Sequence, residues 1–152
     1  MLELTEAQHQ FVEHMGLHFE SLGIARIGGR ILGLMLLAER PLMLDEIAEL
    51  LLVSRASVST NTRAFLHLGL LAQHSIPGDR RRYYAFNPKA WDFRLGIMLS
   101  HAHELGRLTT EGIAAATGPV SRARLQGAQA FARFLEEQAQ RVAGGWRERN
   151  ET

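Results

Sequence analysis

One segment, residues 44–71, restricts the fold of this chain more than any other: "LDEIAELLLVSRASVSTNTRAFLHLGLL". Asp45 and Glu46 stand where a helix favours negative charge, in its first turn. Ser54 suits the N-cap of a second helix, because its hydroxyl can accept a hydrogen bond from a free backbone N–H. Gly69 suits the end of that helix. The segment therefore predicts two helices joined by a tight bend at "LVS".

Two short extended runs follow this helix pair. They are "LLAQHSI" and "RRYYAF", joined by "PGD" at residues 77–79. A Pro-Gly-Asp cluster between aliphatic and aromatic runs is typical of a β-hairpin. A hairpin directly after a helix–bend–helix pair predicts a winged helix-turn-helix.

Two helices are predicted before this unit. Thr5 and Gln8 form a capping-box pattern that begins the first helix. Residues 26–38 are apolar nearly all round, which predicts a buried second helix, and Pro41 cannot continue it. Gly28 and Gly29 match no phosphate-binding loop, and we interpret them as sites of close helix packing.

Two more helices are predicted after the hairpin. Asn87-Pro88 supplies a cap and a first-turn proline, so a helix is expected to begin there. Gly106 and Gly112 are expected to weaken this helix, and Gly118-Pro119 to end it. The last helix is expected to begin near Ser121.

The last helix carries the most regular apolar pattern in the chain, with alternating spacings of three and four that are typical of paired helices. This seam consists of Leu125, Ala128, Ala132, Leu135, Ala139, Val142 and Trp146. Its partner is either the first and fifth helices of the same chain or those of a second chain. Phe131 and Phe134 lie on a different face, so one face is expected to pack within the chain and the other across a two-fold axis. We therefore expect an obligate homodimer with Leu135 near its centre.

The first helix shows a second apolar stripe. Its residues are Phe11, Met15, His18 and Leu22, followed by Gly23 as the stop. Phe11 and Met15 join the residues of the seam as predicted dimer contacts.

Positive charge is concentrated in one stretch, although the net charge is only +1. The charged residues between positions 1 and 25 are all acidic: Glu3, Glu6, Glu13 and Glu20. Those between positions 54 and 89 are Arg55, Arg63, Arg80, Arg81, Arg82 and Lys89, against Asp79 alone. Such clustering favours a polyanionic partner.

The Ser54-capped helix has the side chains that a DNA major groove admits. Small residues allow close approach at its start: Ala56, Ser57, Ser59 and Thr60. Arg55 and Asn61 can read base edges, and Arg63 can reach a phosphate. The three wing arginines, at residues 80–82, can enter the minor groove or bind the backbone. Taken alone, the helix is equally an amphipathic helix with a solvated polar face; helix and wing together favour DNA.

Three stretches resemble MarR-type winged-helix repressors, and most closely their GbsR-like branch, over about residues 10–90. They are "GIARIGGRILGLMLL", the segment at residues 44–71 and "PGDRRRYY". The resemblance implies a homodimeric transcription factor whose dimer is built from terminal helices. It places base-reading and backbone roles on Arg55, Ser57, Ser59, Asn61, Arg63, Asp79 and Arg80. Phe65 stands where Leu is usual, and Met43 where a capping Ser or Thr is frequent, so the third helix should begin weakly.

Several other classes of protein find no support in the sequence. Without cysteine there is no disulfide and no Cys-ligated zinc. His14 and His18 have a spacing that can hold a metal, but helical histidine pairs are common without one, so no metal and no cofactor are predicted. No catalytic motif indicates an enzyme. The longest apolar run, residues 31–38, is too short to cross a bilayer, and the first residues lack the basic charge of a signal peptide, so a cytoplasmic protein is expected.

The predicted fold class is mainly α with a small β-hairpin wing: a winged helix-turn-helix with helical dimerisation arms. The expected divisions are a dimerisation helix at 1–24, a DNA-binding domain at 25–87 and a helical dimerisation region at 88–152. The predicted function is sequence-specific binding of double-stranded DNA by a dimeric repressor, on a pseudo-palindromic operator and under a small-molecule effector. The alternative is a winged helix that binds protein, against which the arginines of the recognition helix and wing argue.

Overall fold

The computed structural model describes residues 3–150 and is mainly helical, with one small antiparallel sheet. The elements are α1 (Glu6–Ser21), α2 (Arg26–Leu37), β1 (Leu42–Met43), α3 (Leu44–Leu51), α4 (Arg55–His67), β2 (Leu71–His74), β3 (Tyr83–Phe86), α5 (Ala90–Ala115) and α6 (Pro119–Asn150). The described residues form two compact units, divided after residue 90. The predicted order of helices and hairpin is confirmed. None of the helices within residues 3–150 is long and apolar enough to span a membrane.

The helix pair α3 and α4 forms as its local signals predict. Ser54 caps α4, and its hydroxyl accepts a hydrogen bond from the N–H of Ser57 at 3.2 Å. Gly69 follows the helix with a positive φ of 71°, which glycine adopts without strain. Met43 makes no side-chain cap for α3, but Glu46 accepts a hydrogen bond from the Met43 N–H at 2.8 Å. The start of α3 therefore has half of a capping box.

The sheet contains one strand that the sequence did not predict. Its order is β1-β3-β2, with all neighbours antiparallel. The segment after Pro41 forms β1, where Leu42 is fully buried and lies opposite Tyr84. The break after α2 is thus also the third strand of the wing sheet.

The first unit has its core around α2. Seven of the twelve residues of α2 are buried, as its all-round apolar pattern predicted. α1 packs on α2 at very short range: a Cβ on Gly29 would lie 2.5 Å from the Met15 carbonyl oxygen. The face that α1 buries within the first unit differs from its predicted apolar stripe, of which only Met15 packs against the core. Val12 and Gly16 are buried, whereas Phe11, His18 and Leu22 are exposed.

The second unit consists of α5 and α6 packed as an antiparallel pair. Three hydrogen bonds join the two helices along their length: Trp146 to Asp92 at 2.8 Å, His103 with Glu136 at 3.1 Å, and Gln129 to Thr110 at 2.8 Å. Leu125 lies against Gly112, where a Cβ would be 2.8 Å from the Leu125 Cδ2 atom.

Three predicted details of these helices are corrected. α5 begins at Ala90, two residues after Pro88, although the Asn87 side chain accepts from the Lys89 N–H at 3.0 Å, as a capping side chain does, and donates to the Gly69 carbonyl at 2.8 Å. α5 also runs through Gly106 and Gly112 without interruption, since packing against α6 compensates for the low helix propensity of glycine. α6 begins at Pro119, slightly earlier than expected.

Candidate nucleic-acid interface

The residues that α4 buries show which side of the helix faces outward. Val58, Thr62 and Phe65 point into the core of the first unit. In an α-helix, a residue two positions before or after a buried residue points to roughly the opposite side of the helix. The exposed side therefore carries Ala56, Thr60, Arg63 and His67. Sequence reasoning did not name His67, although the same helical spacing from Arg63 would have found it.

Arg55, the first residue of α4, is exposed and paired with a carboxylate. Its Nη1 atom lies 3.0 Å from one oxygen of Asp45 and 3.2 Å from the other. Asp45 is in the first turn of α3, where its charge also favours the start of that helix. The pair depends on how α3 and α4 cross, so no spacing within the sequence could have indicated it.

Asn61 does not lie on the outward face. Its side-chain amide donates to the Ser57 carbonyl at 2.8 Å, and its oxygen lies 3.1 Å from the position of a Cβ on Gly28. Asn61 is half-buried and faces α2. Ser57 and Ser59 are also half-buried, on the two flanks of the exposed face. The structure thus separates Asn61 from Arg55 and Arg63, the two cations with which it was grouped.

Asp79 organises the wing. Its carboxylate accepts hydrogen bonds from the Arg81 backbone N–H at 2.9 Å, the Arg81 guanidinium at 2.6 Å and the Tyr83 hydroxyl at 2.7 Å. The Arg81 and Tyr83 hydrogen bonds hold the pKa of the Asp79 carboxyl well below its usual range. All three wing arginines are exposed, but Arg81 is held by Asp79, whereas Arg80 and Arg82 have no carboxylate partner among the residues that the structure describes.

The predicted dimer residues divide between two environments. Ala132 and Ala139 are buried in the pair of α5 and α6, and four others of the seam are half-buried there: Leu125, Ala128, Leu135 and Trp146. Val142 and Phe11 are exposed. Met15 packs against the core of the first unit. Much of the seam thus packs within its own chain.

The second unit also has an open cavity of about 610 Å³ near one end of the helix pair. Its lining consists of Trp91, Arg94, Leu95, Arg141, Val142, Gly145, Trp146 and Arg149. Two indoles and three guanidinium groups therefore surround one space. No group of three or more potential metal ligands occurs anywhere in residues 3–150.

Known proteins that are similar to this chain include two transcriptional regulators. The regulator MmpR5 of Mycobacterium tuberculosis (strain ATCC 25618 / H37Rv), described as an HTH-type transcriptional regulator, is 36% identical over 83 residues, which are 54% of this chain and 50% of that protein. The match thus spans half the length of that relative. A crystal structure of a transcriptional regulator is 28% identical with a TM-score of 0.83, and the match covers 93% of this chain and 99% of that one. No protein-family profile matches the chain.

These similarities agree with the geometry. The predicted resemblance to winged-helix transcriptional regulators is confirmed, and so is the mainly helical winged fold. Transcriptional regulators catalyse no reaction, in agreement with the prediction that the chain is not an enzyme. The assignment to a GbsR-like branch stays a prediction.

Asp79→Asn should loosen the wing. Its depressed pKa means that the charged carboxylate stabilises the folded wing above the ordinary Asp pKa of 3.8, and that this stabilisation is lost as the pH falls through the lower folded value. At neutral pH the variant should exchange its Arg81 amide hydrogen faster than the wild type, by hydrogen–deuterium exchange. Glu49→Gln, which neutralises an exposed carboxylate on α3, should leave that exchange unchanged. Equal exchange in Asp79→Asn and wild type would contradict the role of Asp79.

Proposed function

We propose that this protein is a transcriptional regulator that binds double-stranded DNA at specific sequences. The observation that carries the proposal is the exposed side of α4, where small side chains and Arg63 lie beside a wing with three exposed arginines, of which only Arg81 is paired with a carboxylate. A major groove admits one helix, and small residues let its backbone come close to the base edges. The similarity to proteins described as transcriptional regulators supports the same conclusion.

The roles of the site residues follow from their exposure. Arg55 is the candidate for reading bases, because it stands on the first turn of α4, the part of a recognition helix that reaches furthest into the groove. Arg63 lies two turns further on and suits a phosphate. Arg80 and Arg82 suit the backbone or the minor groove beside the wing. Asn61 supports α4 from the side of α2 rather than contacting a base.

A winged helix that binds protein is the rival proposal, and a selection experiment separates the two. The protein is used to select sequences from random double-stranded DNA at several salt concentrations. A DNA-binding regulator should enrich one motif, with binding that weakens as salt rises. Absence of enrichment at low salt would favour the rival.

Arg80→Ala should weaken binding to all DNA sequences equally. If Arg80 neutralises one phosphate, the slope of log K against log salt concentration should become shallower by about 0.9. The slope is measured by fluorescence anisotropy on the selected duplex. Arg124→Ala, which removes an exposed arginine from α6, serves as the control and should keep the wild-type slope. A lost sequence preference with an unchanged slope would mean that Arg80 reads bases instead.

We also propose that the protein acts as a homodimer held by the second unit. A pair of helices can cover only one face of each, and many large apolar side chains of α5 and α6 remain exposed. These include Phe93, Met98, Leu105, Leu108, Phe131, Phe134 and Val142. Exposed apolar patches of this extent mark interaction surfaces. A second copy would cover them and bring two recognition helices to a pseudo-palindromic operator, about 34–36 Å apart.

Phe131→Asp should shift the protein from dimer to monomer. Phe131 is 56% exposed on the apolar face of α6, so a carboxylate there does not disturb the pair of α5 and α6 but would be buried without a partner in a dimer. Sedimentation at micromolar concentration should show a dissociation constant raised roughly tenfold or more. Gln140→Asp, on the opposite side of α6, should remain dimeric. A monomeric wild type would remove the dimer proposal.

The cavity in the second unit is the proposed effector site. Its two indoles suit an apolar body, and none of its three arginines has an ion-pair partner within the described residues. An apolar molecule with one anionic group would match both. A dimer that covers promoter DNA competes with RNA polymerase, so we extend the proposal to a repressor whose effector changes the spacing of the two recognition helices.

Decanoate tests this site directly, because the only two tryptophans of the chain both line it. Decanoate should change tryptophan fluorescence in a saturable way and weaken DNA binding, whereas decanol, which lacks the charge, should bind more weakly. Arg141→Ala should reduce decanoate affinity about tenfold, because a charge-assisted hydrogen bond is lost. Arg124→Ala is the control. Equal binding of decanol and decanoate would contradict an anion site.

A further inference from the structure

We propose that Asp45 is a positioning residue that sets the sequence preference of Arg55. This inference rests on the proposed DNA-binding function and goes beyond it, because it concerns a residue on α3 that need not touch DNA. In this arrangement the carboxylate holds the guanidinium in one orientation before DNA is bound. It also disfavours binding wherever the correct base is missing.

The pairing with Asp45 uses only one nitrogen of the Arg55 guanidinium. Asp45 is bonded to Nη1 alone, at 3.0 Å and 3.2 Å from its two oxygens. The opposite edge of the guanidinium, formed by Nε and Nη2, makes no hydrogen bond to any residue between positions 3 and 150. Two parallel N–H groups on one edge are what a guanine needs at its O6 and N7 atoms.

The wing contains a second Arg–Asp pair that shows the contrast. Arg81 gives both Nε and Nη2 to Asp79, at 2.9 Å and 2.6 Å. The edge suited to a guanine is therefore already occupied in Arg81, and its role is structural. In Arg55 the same edge is open, although the residue is also paired.

Charge gives the pair a second effect. Asp45 and Arg55 have side chains 56% and 71% exposed, so both are accessible to an approaching duplex. When Arg55 bonds to a base, the carboxylate stays beside its cation. On a sequence without that base, the pair presents no net positive charge to the phosphates. Asp45 thus lowers non-specific affinity while it orients the specific contact.

Arg63 is a useful comparison on the same face of α4. It has no carboxylate partner among the residues that the structure describes. Its guanidinium is therefore free to follow any phosphate, which suits a contact that carries no sequence information. The two arginines are thus expected to bind DNA differently because Asp45 pairs with Arg55 and does not pair with Arg63.

The Asp45→Asn variant, compared with a variant that removes the same charge elsewhere on α3, tests whether Asp45 acts by orienting Arg55. The full-length protein is tested by anisotropy on the duplex selected by the wild type, on its single-base variants and on a duplex of unrelated sequence. We expect higher affinity for the unrelated duplex and about tenfold weaker discrimination at one base position. Glu49→Gln removes the same charge from the same helix without contact to Arg55. It should leave discrimination unchanged at every position.

A further variant shows whether Asp45 acts through Arg55. In an Arg55→Ala background, Asp45→Asn should cause no additional loss of discrimination. A structural role would instead lower the melting temperature and affect all positions, which circular dichroism and the same binding series detect. Unchanged discrimination in Asp45→Asn, with a clear motif for the wild type, overturns this inference but leaves the proposed function standing. Failure of the wild type to select any motif overturns both.

Discussion

The close packing of α2 determines which residues of α4 face outward. Where α2 passes α4, a Cβ on Gly28 would lie 3.1 Å from both the Asn61 oxygen and the Phe65 ring. On its other side Gly29 admits the backbone of α1. Larger side chains at these positions would push the helices apart and rotate α4. The close approach of α4 to α2 thus depends on a glycine of α2, Gly28, and that of α1 on the next one, Gly29.

Local signals explain why much of the fold was predictable. The Ser54 cap, the Gly69 stop and the Pro-Gly-Asp turn each act within a few residues, so the elements that they define appear where expected. The phase of α1 depends on which of its faces meets α2, and β1 forms only because β3 lies beside it. Both are set by distant parts of the chain, so the pattern of each segment alone could not supply them.

The same distinction applies to the candidate interface. Exposure of Ala56, Thr60 and Arg63 follows from helical periodicity and was accessible from the sequence. The inward position of Asn61 could not be predicted from the sequence. An amide side chain on a helix can equally contact a base or pack against a neighbouring helix, and only the neighbour decides between the two. The sequence does not indicate the pairing of Asp45 with Arg55 for a related reason: an acidic residue in the first turn of a helix already has a sufficient local explanation.

Acidic partners divide the arginines of the first unit into held and available groups. Arg26 and Arg30 lie 2.8 Å and 2.6 Å from Glu13 oxygens, Arg40 bonds to Glu46, and Arg81 bonds to Asp79. Within residues 3–90 the arginines without such a partner are Arg63, Arg80 and Arg82. Those three lie on the exposed side of α4 and in the wing. A chain of net charge +1 therefore has a strongly positive surface there, not because cations are numerous but because carboxylates neutralise them elsewhere. Arg55 belongs to neither group, because Asp45 bonds to its Nη1 atom while Nε and Nη2 make no hydrogen bond within the described residues.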